Sequence, residues 1–313
     1  MFFEGVKAMK AIHERLRGSI TPVVTPFTDD NQVDHETLKS LINWQIREGS
    51  HGISVTGTTG EPSSLTLEER EAIFKTTVSA VAGRVPVLLG SGSTNVDETL
   101  RLTHSAEMLG ADAVLIIVPY YNRPSQEGLY QYFTTVARST ALPVVIYNIP
   151  GRTATNIEPA TVKRICHTAN NVIGIKESNR DFEQVTKVLH LMGRNFLVYS
   201  GIEALCFPML ALGGAGHISA TANILPREVA DLYNLAAHGE WEKARELHYH
   251  LYPLNDALFW ETNPGPLKAA LGMMDKIRPH LRLPLVPVSS EHYQGLAKIL
   301  HQYGVLAKEG GTE

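Results

Sequence analysis

Val172-Ile173-Gly174-Ile175-Lys176-Glu177-Ser178 is an apolar run that stops at a lysine. A strand apolar on both faces suits a parallel sheet covered by helices, and such a strand would carry the Lys176 amine to its carboxyl end. Lysine is among the residues least often buried. An amine leaving an apolar strand therefore needs a partner or a purpose, unless its stem simply carries the charge out to solvent. The segments on either side decide between these readings.

Toward the N-terminus the same texture returns at residues 143–147, 113–118, 85–89 and 52–55, and a β-rich start at 20–27 is broken by Pro22 and Pro26. Helical periodicity fills the intervals. Asp34 caps a pattern through Leu38, Leu41, Ile42, Trp44 and Ile46 that Gly49 ends, and Thr66 and Glu69 have the spacing of a capping box. Leu100, Leu102, Ala106 and Leu109 share a helix face, and further helices are expected at 125–138 and 158–166. Toward the C-terminus the alternation continues as helix 182–191, strand 196–199, helix 203–212 and a last strand around 216–218, closed by a helix at 225–237. Eight βα units predict a TIM (β/α)8 barrel. A doubly wound open sheet would need a Gly-rich dinucleotide turn after its first strand, and none follows residues 20–27.

Beyond Gly239 the pattern changes to helices at 241–259, 266–273 and 290–303 with prolines between them. The expected organisation is an N-terminal extension (1–17), a barrel catalytic domain (18–237) and an appended C-terminal helical domain (238–313). In the last of these, Trp241, Leu247, Leu251, Leu254, Leu258 and Trp260 read as core or subunit-contact residues rather than a cofactor box.

Composition narrows the partners. The 313 residues are 43% hydrophobic, enough to fill a large core, and carry a net charge of −4 with neither sign gathered into runs. A nucleic-acid groove or a polybasic membrane anchor is not expected, and the partner is a small molecule. No apolar stretch approaches the roughly 20 residues of a membrane-spanning helix, and Met1-Phe2-Phe3 is too short for a signal sequence. Cys166 and Cys206 are the only cysteines, as a reducing cytoplasm would favour. His248 and His250 lie two apart on a helix and face different ways, so no metal or other cofactor is expected. Gly213-Gly214-Ala215-Gly216 has no basic neighbour and reads as close strand packing rather than a phosphate cradle.

In a barrel the active site lies at the carboxyl ends of the strands. The residues there are Gly57-Thr58-Thr59-Gly60-Glu61 after the second strand, Pro119-Tyr120-Tyr121-Asn122 after the fourth, Tyr147-Asn148 with Arg152 at the fifth, and Lys176 at the sixth. Singly, each could be a turn glycine, a strand cap or a surface arginine; their convergence on one rim favours a site. Burial disfavours an ammonium, so a desolvated lysine offers a neutral amine that can attack a ketone to form a Schiff base. The iminium is an electron sink: a carbon beside it can lose a proton and then attack an aldehyde. Tyr147 and a threonine hydroxyl could pass the protons.

The motifs Gly57-Thr58-Thr59-Gly60-Glu61, Pro119-Tyr120-Tyr121-Asn122-Arg123-Pro124, Tyr147-Asn148-Ile149-Pro150-Gly151-Arg152-Thr153, Gly174-Ile175-Lys176-Glu177 and Glu261-Thr262-Asn263-Pro264 resemble those of the dihydrodipicolinate synthase and N-acetylneuraminate lyase superfamily of pyruvate-dependent class I aldolases. The likeness runs from about Gly18 to the C-terminus. It implies that Lys176 forms the Schiff base with pyruvate and that Tyr147, Thr58 and Tyr121 relay protons, Tyr121 coming from a neighbouring subunit. It also implies that Thr59, Gly201 and Ile218 shape the pyruvate pocket, that Arg152 holds the carboxylate of the incoming aldehyde, and that the assembly is a homotetramer of tight dimers. The reaction implied is condensation of pyruvate with aspartate semialdehyde to 4-hydroxy-tetrahydrodipicolinate, in lysine and diaminopimelate biosynthesis.

Two alternatives remain open at this point: an aldolase or dehydratase that takes another 2-oxo acid through the same lysine, and a silent barrel used for binding. The sialate lyases lack an arginine at Arg152. Three departures stand out. Ile202-Glu203 replaces a pair of acidic residues after Gly201, which loosens the substrate assignment; Arg70 and Thr94 replace the histidine and asparagine of lysine-inhibited members, which argues against lysine feedback although Glu98 is kept; and Thr21 replaces an aliphatic residue.

Overall fold

A computed structural model describes residues 12–306. Eight parallel strands, β1 Gly18–Pro22, β2 Gly52–Val55, β3 Val87–Gly90, β4 Ala113–Ile117, β5 Val144–Asn148, β6 Val172–Glu177, β7 Leu197–Ser200 and β8 Gly216–His217, follow one another around a closed barrel, with β8 paired back on β1. The predicted TIM barrel is the observed fold. Its helical layer is α1 His35–Arg47, α2 Leu67–Val81, α3 Val96–Met108, α4 Gln126–Arg138, α5 Pro159–Thr168, α6 Phe182–Met192, α7 Cys206–Ala211 and α8 Pro226–Ala237. Helices α9 Trp241–Ala257, α10 Gly265–Met273 and α11 Ser290–Gln302 form the appended C-terminal part.

The helix starts follow from their caps. The Asp34 side chain accepts from the Thr37 amide, and Thr66 and Glu69 make the reciprocal bonds of a capping box. The strands alternate between two apolar compartments. Leu88, Leu115, Val145, Ile173, Leu197 and Tyr199 fill the barrel, whereas Leu89, Val114, Ile116, Ile146, Ile175 and Val198 pack under the helices. Leu16, just before β1, is fully buried in the inner compartment, where its carbonyl accepts from the Tyr199 hydroxyl at 2.6 Å and closes the foot of the barrel.

Several boundaries differ from the sequence reading for local reasons. The β-rich start at 20–27 divides: only Gly18–Pro22 pairs in the sheet, because Pro22 and Pro26 have no amide to donate, and Phe27 makes an isolated bridge to Val33. The helix at 203–212 becomes a 3₁₀ turn, Glu203–Leu205, followed by the short α7. Thr21 also acquires an explanation, since its buried hydroxyl joins Gln45 and Ser50 at 2.9 Å each and so pins β1 to the end of α1. Gly216 is obligatory packing: its φ is +150°, and a Cβ there would lie 2.0 Å from the Gly18 carbonyl oxygen.

The C-terminal helices are tied to the barrel mouth by charge as well as by apolar contact. Lys268 of α10 and Glu61, after β2, form a fully buried pair at 2.5 Å, with the lysine donating to the His280 carbonyl and lying over the Phe27 ring. Arg282 binds Glu69 through two bonds of 2.8 and 2.7 Å and also donates to Ser64 and Asn31 carbonyls. Among the described residues no helix is long and apolar enough to cross a membrane.

Candidate active site

Lys176 lies inside β6 rather than beyond its end, opposite Tyr147 on β5 and Tyr199 on β7. Its side chain is 7% exposed and rises through the inner compartment, with Nζ 4.3 Å from the centre of the Tyr147 ring. The Tyr147 hydroxyl in turn lies 3.3 Å from the Thr58 hydroxyl. Thr58 and Thr59 stand on a 3₁₀ turn after β2 that ends at Glu61, whose φ of +54° turns the chain sharply toward α2. The Lys268 ion pair with its carboxylate anchors Glu61 in that strained backbone conformation.

Gly201 explains how the lysine reaches the cavity. A Cβ on this residue would lie 2.6 Å from Lys176 Cε and 2.0 Å from Ser178 Oγ, so the side chain of Lys176 runs against bare backbone. Arg152 stands on the helical turn Pro150–Thr153 after β5, exposed on one side, and donates to the Asn263 carbonyl at 3.4 Å. The Asn263 amide reaches back across the mouth to Thr59 Oγ1 at 3.1 Å.

Lys176, Tyr147, Thr58, Thr59, Arg152, Gly201 and Ile218 all line one cavity at the carboxyl ends of the strands. Seven of the eight residues singled out from the sequence are thus brought together. Tyr121 is not: it is 90% exposed at a φ of +68°, in a loop that projects from the rim. The same cavity is lined by Glu203 and Asn263, which sequence reasoning gave no role. Glu203 did have a signal, an acidic residue two positions after Gly201 in an otherwise apolar stretch. It is fully buried and accepts from the Ala220 amide at 2.8 Å and the Ser219 hydroxyl at 3.3 Å. Burial pushes its carboxyl above the ordinary range, while the backbone donors and the Lys176 charge oppose the shift.

A second, larger cleft of ≈ 400 Å³ shares Thr58 and Tyr147 with the cavity and is lined on its far side by Arg70, Thr94, Glu98 and Tyr120. Arg70 is buried there and donates to the Gly90 and Gly92 carbonyls at 2.8 and 3.2 Å. The two cysteines stand outside this chemistry. Both are free, and burial raises both thiols, Cys166 to about 12, which suits inert packing residues.

A lysine inside a parallel barrel, a tyrosine–threonine hydroxyl pair beside it and an arginine at the mouth define a class of protein, the lyases and aldolases that work through a lysine amine. Comparison with known proteins narrows the class. Residues 15–303 match the dihydrodipicolinate synthetase family. The 4-hydroxy-tetrahydrodipicolinate synthases of Thermus thermophilus and Thermodesulfovibrio yellowstonii are 47% and 46% identical, over 94% and 93% of this chain and 98% and 99% of their own. The crystal structure of dihydrodipicolinate synthase from Aquifex aeolicus superposes with a TM-score of 0.92 at 40% identity, covering 94% of this chain and 100% of that one. The chain belongs to the dihydrodipicolinate synthetase family, and it is a pyruvate-dependent class I enzyme.

Proposed function

We propose that this chain condenses pyruvate with L-aspartate 4-semialdehyde to 4-hydroxy-tetrahydrodipicolinate, the step that commits carbon to diaminopimelate and lysine, and does so in the cytoplasm. The observation that carries the reading is the shared cavity: a nucleophilic amine, three hydroxyls and a guanidinium face one space. The barrel at 18–237 is the catalytic domain and 238–313 the C-terminal helical domain, whose described residues, 238–306, brace the barrel mouth through Lys268 and Arg282.

In this reading the Lys176 amine adds to the pyruvate ketone, and loss of water leaves an iminium. Tyr147, with Thr58 at 3.3 Å, accepts and returns the protons of these steps. Thr59, Gly201 and Ile218 enclose the pyruvate. Loss of a methyl proton gives the enamine, which forms a carbon–carbon bond to the aldehyde carbon while the aldehyde oxygen takes up a proton. The amine of the condensed chain then adds to the iminium carbon, closing the ring and expelling Lys176. Arg152 holds the carboxylate of the semialdehyde through its planar fork of donors.

Tyr121 completes the relay from the neighbouring subunit, which is consistent with its near-complete exposure in one chain. The functional unit is then at least a dimer, and two tight dimers make the tetramer. The test compares turnover of aspartate semialdehyde with that of other aldehydes and 2-oxo acids. The semialdehyde should be preferred, and Arg152→Ala should weaken it by about 10- to 100-fold, the value of one charged hydrogen-bonding contact, with little change in pyruvate affinity. Equal losses for both substrates would contradict the role of Arg152, and no turnover of the semialdehyde would favour a relative acting on another 2-oxo acid.

A further inference from the structure

Lys176 and Glu177 are adjacent on β6 and therefore leave it on opposite faces. Lys176 enters the barrel, whereas Glu177, 1% exposed, enters the layer beneath the helices. Among the described residues no cation pairs with it there. Glu177 Oε1 accepts from Asn148 Nδ2 at 2.8 Å and from the Asn179 amide at 3.1 Å, and Oε2 accepts from Gln184 Nε2 at 3.1 Å. Asn156 extends the cage: its Oδ1 accepts from Asn148 and Gln184 at 2.8 and 3.1 Å, and its carbonyl accepts from Gln126 at the start of α4.

The register gives the cage its significance. Asn148 pairs with Glu177 one step after Tyr147 pairs with Lys176. The Glu177 carbonyl accepts from the Gly201 amide at 2.9 Å, and the Asn148 carbonyl accepts from the Ser178 amide at 2.8 Å. The backbone that carries Tyr147, Lys176 and Gly201, and that leads into the Arg152 turn, is thus held from behind by one carboxylate and a ring of amides. A buried carboxylate without a counter-ion is a costly way to stiffen a strand end, and three N–H donors converging on its two oxygens suit the ionised form.

We propose that Glu177 is a positioning residue for the reaction: in its ionised form it fixes the ends of β5 and β6 so that Tyr147 and Lys176 meet the substrate in register. This rests on the reading of Lys176 as the Schiff-base residue. Burial pushes the Glu177 carboxyl up to about 7, against the opposing effect of its hydrogen-bond donors. The charged group acting on it is Asp181, at the start of α6, which pushes in the same direction as burial; Asn148, Asn156, Gln184 and Gln126 are neutral. A protonated Glu177 must place an O–H against an N–H donor and lose a bond, so acid loosens the rim.

Stability should move the other way. The folded value lies above the ordinary 4.5, so the folded chain retains a proton that the unfolded chain has released. The contribution of Glu177 to stability is therefore complete below about 4.5 and is lost as pH rises through about 7. As pH falls through this interval activity should drop while stability rises, a signature that a purely structural residue would not give.

The experiment measures kcat and pyruvate KM against pH for the unsubstituted chain, Glu177→Gln and Glu177→Asp, with borohydride trapping of pyruvate on each. The unsubstituted chain should form the adduct and lose kcat on the acid side with a midpoint near 7. Glu177→Gln keeps the size but turns an NH2 toward the donors. Its kcat should fall about 10- to 100-fold, as expected for a slight misplacement of reacting groups, with little change in pyruvate KM and without the acid limb. Glu177→Asp keeps the charge on a shorter stem, so it should retain the limb at reduced kcat. The proposal is overturned if Glu177→Gln keeps the full rate, or if it loses rate with the acid limb unchanged. An unsubstituted chain that traps no pyruvate overturns the lysine reading itself, and the proposal with it.

Discussion

At the scale of the residue, the site depends on one lysine being allowed through a packed barrel. Gly201 provides the passage, and its constraint is steric rather than conformational: its φ is not in the left-handed region, but a methyl group would overlap Lys176 Cε at 2.6 Å. Gly201→Ala should therefore displace the amine and slow pyruvate capture by about 100-fold, while the thermal midpoint changes far less than the rate. Trapping kinetics beside a melting curve check this, and an alanine variant that captures pyruvate at the normal rate would mean that the lysine reaches the cavity by another path. Lys176, Tyr147 and Arg152 were legible in the sequence because strand ends can be counted from apolar runs, and a polar residue at such an end has few structural uses. Asn263 stood in a quoted motif but without a role: it meets Thr59 across 204 positions, and local sequence carries no trace of that contact. Glu203 was visible as a departure, but the partners that receive its buried carboxyl, the Ser219 hydroxyl and the Ala220 amide, come from 16 and 17 positions away.

At the scale of the element, the turn after β2 is the part most dependent on distant structure. Thr58 can face Tyr147 only while Glu61 keeps its left-handed backbone, and Glu61 is secured from the C-terminal part by Lys268. Lys268→Met leaves that carboxylate buried and unpaired, a loss of about 3–5 kcal/mol, and kcat should fall with it because the Thr58 hydroxyl is no longer held. Urea unfolding with parallel initial rates measures both; a variant of normal stability and rate would show that the pair does not secure the turn. The long, uniformly apolar strands β4, β5 and β6 were readable to within a residue or two. The two-residue β8 and the division of the start at Pro22 were less so, because pairing there is decided by glycine contact and missing amides rather than by hydrophobic pattern. The Asp34 cap of α1 and the Thr66–Glu69 capping box of α2, by contrast, were written in full in the local sequence.

At the scale of the whole molecule, the barrel gathers segments from residues 58 to 263 around one cavity, and the helices beyond β8 close its mouth. The alternation of eight units made the architecture legible, because each apolar strand requires a helix to cover it and each helix announces itself by its period. The Pro119–Pro124 loop carries Tyr121 outward from the rim on strained backbone at both Tyr121 and Arg123. Everything in this arrangement turns on whether the Lys176 amine takes up pyruvate. The direct measurement is reduction with borohydride in the presence of pyruvate, followed by peptide mass analysis. One reduced pyruvyl group on Lys176, absent without pyruvate and absent in Lys176→Ala, is the predicted result; an unmodified chain, or an adduct on another lysine, would contradict it.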